Sequence, residues 1–110
     1  MIEQHHIDTY LDAINQDYIN WSKVALHAET QDESIQRFKD NLKVTVGKKY
    51  IKVIKEGSVH SFIVNAPDAK FKVGDVLMAA TYNTPSRNKA RGNVIDGTFK
   101  VNWTGANYLI

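Results

Sequence analysis

A chain of 110 residues with 43% apolar and 24% charged side chains has the composition of one globular domain, which can bury its own core without covalent staples. The absence of cysteine excludes disulfides, thiolate metal sites and a cysteine nucleophile, and it fits a reducing compartment. The net charge is only +2, so overall charge does not by itself identify a class of partner.

Charge is divided unevenly between the two parts of the chain. Residues 1–42 hold three basic and eight acidic side chains (net −5), whereas residues 43–110 hold eleven basic and four acidic ones (net +7). This asymmetry has two interpretations: the parts neutralise each other inside the fold, or the basic part faces an anionic partner. Both interpretations stay open at the level of sequence.

The first predicted element is an amphipathic helix in the acidic part. Apolar side chains between residues 7 and 28 recur at spacings of three and four, which places them on one helix face. They are Ile7, Tyr10, Leu11, Ile14, Tyr18, Trp21, Ala25 and Ala28. Most of the charged side chains lie off this stripe, so the stripe is expected to pack on a core.

The helical pattern continues to residue 42 in one of two ways. Thr30 and Glu33 match a capping box, which predicts that a second helix begins there and carries Ile35, Phe38 and Leu42. One continuous helix of about 35 residues accounts for the pattern equally well, because an unbroken spacing of seven runs through it. The positions at this spacing are Ile14, Trp21, Ala28, Ile35 and Leu42. Such a helix favours a homodimer formed through residues 7–42.

From residue 43 onward the chain predicts short strands joined by tight turns. The strands are runs rich in β-branched and aromatic residues, and turn signals separate them. They span residues 50–55, 59–64, 76–82, 94–95, 99–103 and 108–110, and Val44 and Val46 precede the first of them, before a turn at residues 47–49. Hairpins are expected around residues 56–58 and 96–97, and the second one places Phe99, Val101 and Trp103 on one face.

Together these elements predict a single α+β domain over residues 1–110, with a helical acidic part (1–42) and a basic β part (43–110). An N-terminal helix or helical hairpin packs on a small antiparallel sheet or partly open barrel of roughly five to six strands. No apolar run approaches the ~20 residues that span a bilayer, and the N-terminus lacks the pattern of a signal peptide. We therefore expect a cytoplasmic protein that does not contact a membrane.

The longest polar stretch of the β part, residues 82–93, is the candidate binding loop. It holds three cations, several amide and hydroxyl groups, and no acidic residue. Arginine forks suit phosphate or carboxylate, and an aromatic side chain such as Tyr82 or Trp103 adds the stacking surface used on single-stranded nucleic acid. The candidate binding residues are Tyr82, Ser86, Arg87, Asn88, Lys89, Arg91 and Asn93. The alternative interpretation is an ordinary solvated loop.

Histidines provide weaker candidates. His5 and His6, with Glu3 or Asp8, are expected to chelate a metal only opportunistically, because adjacent helical residues do not share a face and a metal site needs about three or four converging ligands. His60 lies within a predicted strand, where a hydrogen-bonded structural histidine is expected before a general base. We expect no catalytic residue, metal ion or cofactor.

Four short motifs follow one another over residues 58–95. They are Ser58-Val59-His60-Ser61-Phe62-Ile63-Val64, then Phe71-Lys72-Val73-Gly74-Asp75-Val76-Leu77-Met78-Ala79-Ala80-Thr81-Tyr82, then Thr84-Pro85 and Ala90-Arg91-Gly92-Asn93. This order resembles a pattern of small uncharacterised proteins of tailed bacteriophages, which have Lys, Trp and Ala where this chain has Met78, Tyr82 and Thr84. The resemblance implies a phage-encoded protein that acts in the host cytoplasm, and it implies no activity.

The sequence therefore favours a non-enzymatic binding module. Its basic β part, centred on Arg87, Lys89 and Arg91, is expected to contact an anionic partner, with nucleic acid as the favoured one. The alternative is a protein–protein adaptor or homodimer that uses the N-terminal amphipathic helix, with Tyr18 and Trp21 as anchors. An enzyme based on His60 would require this side chain to lie in a cleft beside Ser86 or Arg87.

Overall fold

The structure, a computed structural model, describes residues 2–106. Within these residues two helices precede six short strands: α1 (Gln4–Ala25), α2 (Ala28–Asp40), β1 (Leu42–Val46), β2 (Tyr50–Lys55), β3 (Ser58–Val64), β4 (Val76–Met78), β5 (Val101–Asn102) and β6 (Gly105–Ala106). The fold is thus the predicted α+β arrangement, with N-terminal helices packed on a small antiparallel sheet. Over the same residues, neither helix combines the length and apolar character that a membrane span requires.

The helical part consists of two helices, which decides between the two sequence interpretations. α1 ends at Ala25, and Leu26 and His27 have extended backbone angles that turn the chain. The predicted capping box does not form, because α2 begins at Ala28 and the Thr30 hydroxyl donates to the carbonyl of His27 instead. The side-chain amide of Gln31 also donates to the carbonyl of Leu26, and this hydrogen bond joins the start of α2 to the turn.

The first and last residues at the spacing of seven belong to the core of the chain itself. Ile14 and Leu42 are buried in the core between the helices and the sheet. Tyr18 stacks on Phe38 with ring centroids 4.2 Å apart, so the two helices pack against each other as a hairpin. Of the other positions at this spacing, Ile35 is half-buried, whereas Trp21 and Ala28 are exposed.

Four strands form an antiparallel sheet in the order β1-β2-β3-β4. Short turns connect β1 to β2 and β2 to β3, as predicted. In the second turn Glu56 and Gly57 have φ values of 48° and 83°, the two positive angles that suit the twist of a tight hairpin. Pairing in register sets which side chains share a face: Ile51, Ile63 and Val76 on one, Lys52, Phe62 and Leu77 on the other.

Each face of the sheet carries its own apolar cluster. The helix-side core is the larger cluster, and it comprises Ile7, Tyr10, Ile14, Tyr18, Phe38, Leu42, Ile51, Val53, Ile63, Val76 and Val94. The opposite face holds Phe62, Val64, Phe71 and Leu77, with Tyr50, Val59, Ala79 and Ala90 packed beside them. Because the loops that follow β3 and β4 supply Phe71 and Ala90, the sheet lies between a helical layer and a layer of loops.

Two strand predictions need correction. The strand predicted over residues 76–82 ends at Met78, after which Ala79 makes only an isolated bridge to Pro85. The predicted hairpin between residues 94–95 and 99–103 does not form, because Asn93 organises residues 93–98 into a turn and β5 pairs with β6 instead. Phe99, Val101 and Trp103 do pack together against the helix-side core. The predicted strand over residues 108–110 lies outside the described residues.

Candidate functional site

The polar loop of residues 82–93 lies along the outer edge of β4. The amide of Ser86 donates to the carbonyl of Met78 at 2.7 Å, and the amide of Arg91 donates to the carbonyl of Val76 at 2.8 Å. The amide of Val76 in turn donates to the carbonyl of Gly92 at 2.9 Å. The loop therefore occupies hydrogen-bonding positions that would otherwise form an open strand edge.

Asn93 anchors the end of this loop inside the protein. Its side chain is buried, and its amide nitrogen donates to the carbonyl of Val73 and to a carboxylate oxygen of Asp75, both at 3.0 Å. Its amide oxygen accepts the backbone N–H groups of Ile95 and Asp96. Asn93 thus joins two of the motifs singled out in the sequence, and it is not part of an exposed surface.

Ser86, Asn88 and Arg91 form a local hydrogen-bond cluster. The side-chain oxygen of Asn88 accepts from the Ser86 hydroxyl, the Lys89 amide and the Arg91 guanidinium. Arg91 also donates to the carbonyl of Lys89 and contacts the sulfur of Met78. These three candidate residues therefore shape the loop, and the exposed cation between them is Lys89.

Arg87 has an acidic neighbour that the sequence analysis did not anticipate. Its guanidinium lies 2.7 Å from a carboxylate oxygen of Asp68, which belongs to the loop after β3, and it also donates to the hydroxyl of Tyr50. The pKa of Asp68 is held well below its usual range by the backbone N–H groups of Phe71 and Lys70 and by Arg87. Residues 82–93 contain no acidic side chain, but the fold brings the carboxylate of Asp68 into contact with Arg87.

Among residues 2–106, no direct ion pair joins the acidic part of the chain to the basic part. Three pairs of basic and acidic side chains are in contact among residues 2–106, and each pair lies within one part of the chain. They are His5 with Glu3, Lys72 with Asp96, and Arg87 with Asp68. Asp17 of α1 does reach the β part, but there it accepts the backbone N–H of Trp103.

Four cations lie above aromatic rings on the sheet face that points away from the helices. The ammonium of Lys52 is 4.2 Å from the ring centroid of Tyr82 and 5.9 Å from that of Phe62. Lys49 lies over Tyr50, and both Lys70 and Arg87 lie over Phe71, at 4.9 to 5.5 Å. We call this set, Lys49, Lys52, Lys70 and Arg87, the basic face. The sequence suggests that the lysines of the β part extend a basic face, and strand register shows which of them share it.

His60 is built into the helix-side core. Its Nε2 lies 2.8 Å from the carbonyl oxygen of Asn102 and its Nδ1 lies 2.8 Å from the hydroxyl of Ser61, which is 2.6 Å from the hydroxyl of Tyr10. A carbonyl only accepts, so Nε2 carries the proton of the neutral ring and Nδ1 accepts from Ser61. Burial lowers the pKa of His60 to about 4. Its ring bonds to core groups and not to Ser86 or Arg87.

Glu3, His5 and His6 lie closer together than the sequence suggested. One ligand atom from each falls within 4.8 Å of the others, which is the single such group within residues 2–106. His6 Nδ1 already accepts the backbone N–H of Glu3, and His5 Nδ1 lies 3.3 Å from a Glu3 carboxylate oxygen. These contacts act as a cap on the first turn of α1.

No protein-family model, no curated protein and no solved structure is significantly similar to this chain.

Proposed function

We propose that this protein is a non-enzymatic binding module whose basic face contacts an anionic partner, with nucleic acid as the partner that fits best. The observation that carries the proposal is the basic face itself, with four cations beside four aromatic rings on the layer opposite the helices. Cations attract phosphates, and Tyr82, the exposed one of these four rings, offers a flat surface to a base.

Loop cations extend this surface. Arg87 holds a fixed position between Asp68 and Tyr50, while Lys89 projects from an exposed part of the same loop. The ammonium of Lys70 donates to the carbonyl of Arg87, which ties the loop after β3 to the candidate binding loop. The two loops are therefore held together in the free protein. Their side chains lose little conformational freedom when a partner binds.

The test is the salt dependence of oligonucleotide binding in two matched triple variants. Lys49→Ala/Lys52→Ala/Lys70→Ala removes three charges from the basic face, and Lys23→Ala/Arg37→Ala/Lys39→Ala removes three from the helices. If each of the three lysines neutralises one phosphate, the first variant lowers the slope of log affinity against log salt by about 2 on a single strand and about 3 on duplex DNA, whereas the control leaves it unchanged. A wild-type protein that binds neither single- nor double-stranded nucleic acid at low salt overturns the proposal.

One observation favours a second candidate, a protein–protein adaptor. Trp21 of the stripe and its neighbour Val24, on the last turns of α1, keep 37% and 86% of their surface exposed, whereas Ile7, Tyr10, Ile14 and Tyr18 of the stripe are buried. Trp21 also packs on Trp103 with ring centroids 4.9 Å apart, so its position is fixed. If a homodimer forms through this patch, the molar mass of the wild type in light scattering should rise from monomer to dimer with increasing protein concentration. The variant Trp21→Ala/Val24→Ala should stay monomeric over the same concentrations.

The proposed setting comes from the sequence pattern of residues 58–95. A phage-encoded protein that acts in the host cytoplasm would meet both phage and host nucleic acid. The proposal needs no cofactor or metal ion.

A further inference from the structure

Tyr82 is the most exposed aromatic side chain of the basic layer. It keeps 51% of its surface exposed at the tip of the loop after β4, while the ammonium of Lys52 lies 4.2 Å from its ring centroid. A cation above a ring leaves the remaining surface open to a second flat group. A tyrosine with a purely structural role gains stability by burying its ring, and here about half of the residue stays in contact with water.

The segment that carries Tyr82 is held rigidly. The hydroxyl oxygen of Thr81 accepts the backbone N–H groups of Asn83 and Thr84, and the carbonyl of Thr84 accepts those of Ala80 and Thr81. The ammonium of Lys52 also reaches the side-chain oxygen of Asn83 at 3.4 Å. The segment is therefore already ordered in the free protein, so little conformational entropy is lost there when a partner binds to the ring.

A cleft opens beside the Tyr82 ring. It has a volume of about 310 Å³ and lies between the β2–β3 turn and the chain that leaves β4. Its walls are Gly57, Ser58, Val59, Ala79, Ala80, Thr81 and Tyr82. Small side chains dominate these walls, and a cleft at the lower end of the size range of ligand sites suits one flat ring.

We propose that the nucleic acid bound by the basic face is single-stranded, and that one unpaired base stacks on Tyr82 and enters this cleft; the inference rests on the proposed function. In a duplex the faces of the bases are stacked on one another, so the Tyr82 ring has no base to accept unless one is flipped out. In a single strand the base is available, and its phosphate lies within reach of a cation that already flanks the ring. Stacking on an aromatic side chain accepts any base, so little sequence preference is expected.

The experiment measures the affinity of wild type, Tyr82→Ala and Tyr82→Phe for three probes by fluorescence anisotropy. The probes are a mixed-sequence single-stranded DNA, the matching RNA and the DNA duplex. We expect the wild type to prefer the single strands and Tyr82→Ala to lose at least about fivefold affinity for them, whereas Tyr82→Phe stays within about twofold. The DNA and RNA arms show which sugar is favoured. Tyr82 is exposed, so circular dichroism should show the same fold in both variants.

The outcomes separate the two proposals. Loss of affinity in Tyr82→Ala with an unchanged salt slope supports base stacking, because the phosphate contacts remain. Equal affinity for single strand and duplex, with no effect of Tyr82→Ala, overturns the single-strand inference and leaves the proposed function standing. Absence of binding to any of the probes at low salt overturns both. Polyglutamate is measured in the same assay as a carboxylate control, and tighter binding to it than to the oligonucleotides also overturns both.

Discussion

At the scale of single residues, the buried contact between His60 and Ser61 follows from one irregularity in β3. Neighbouring residues of a regular strand point to opposite faces, but here Ser61 pairs with Val53 and Val59 pairs with Ile54, so His60 is an extra residue. Such a bulge turns two successive side chains toward the same side. It allows His60, Ser61 and Tyr10 to form a continuous chain of hydrogen bonds within an apolar core.

This arrangement makes stability depend on pH. The folded-state pKa of His60 is about 4, below its ordinary value of 6.5, so between these values the unfolded chain binds a proton that the folded chain does not. The free energy of unfolding is therefore expected to fall as the pH is lowered from about 6.5 to about 4, by about 3 kcal/mol from this group. Below about pH 4, His60 is protonated in both the folded and the unfolded chain, so this group lowers the free energy of unfolding no further.

Urea unfolding across this pH range tests this prediction. His60→Gln should flatten the pH dependence between those limits, whereas His27→Gln, at an exposed position, should leave it as in the wild type. The NMR titration of the His60 ring in the wild type gives the same information without a variant. A midpoint near the ordinary histidine value would contradict the buried neutral ring.

At the scale of elements, the turn after Gly92 depends on a close approach between two chain segments. Gly92 has a φ of 109°, and a β-carbon there would lie 2.3 Å from the α-carbon of Phe99. Gly97, in the same region, has a φ of 74°, but a β-carbon there would have no neighbouring atom within 4 Å. The first glycine is needed for space as well as backbone angle, and the second for backbone angle alone.

We expect Gly92→Ala to lower the free energy of unfolding by more than about 3 kcal/mol, because backbone atoms must move apart. Gly97→Ala should cost only about 1 kcal/mol, which is the effect of an unfavourable backbone angle. Urea unfolding of both variants at one pH makes the comparison. Equal losses would show that the segments around Gly92 and Phe99 separate without cost.

Local patterns were sufficient to predict part of this fold. The stripe of α1 and the turns around Gly47 and Gly57 depend on neighbouring residues, and the structure confirms both turns and the part of the stripe from Ile7 to Tyr18. The break after Ala25 carries no glycine or proline, so it is decided by tertiary contacts such as the stacking of Tyr18 on Phe38. The same limit explains the missed hairpin, since buried bonds of Asn93 to distant residues fix that turn.

The candidate site was predictable to a smaller extent. The loop of residues 82–93 could be found from its composition, but the partner of Arg87 is Asp68, 19 residues earlier in the chain. Which cations share a face depends on the register between β2 and β3, which places Lys52 opposite Phe62. Composition identifies side chains with suitable chemistry, whereas only the paired sheet shows which of them act together.

At the scale of the whole molecule, the opposite charges of the two parts lie in separate layers. The acidic helices cover one face of the sheet, and the basic face lies on the other. At about 0.15 M salt the Debye length is ~8 Å, so the helical acids should have little influence on a polyanion bound across the sheet. At about 0.01 M salt it reaches ~30 Å, and their repulsion should be felt.

We therefore expect Asp12→Asn/Asp32→Asn/Glu33→Gln to tighten oligonucleotide binding severalfold at low salt and by less than about twofold at ~0.15 M. All three side chains are exposed on the helices, so the fold should not change. Affinities of variant and wild type measured over a salt series provide the test. A large gain that persists at the higher salt would mean that these acids lie closer to the partner than the layered fold places them.

Covering of the β4 edge by the loop also limits how the sheet could be extended. Within residues 2–106 the remaining edge strand of the four-stranded sheet is β1, which ends at the largely exposed Val46. If two copies of the chain joined by strand addition, each would use its β1 edge, and the combined sheet would then have a covered edge at both ends. Assembly by this route would stop at two copies, because the loop covers the β4 edge to which a third copy would have to pair.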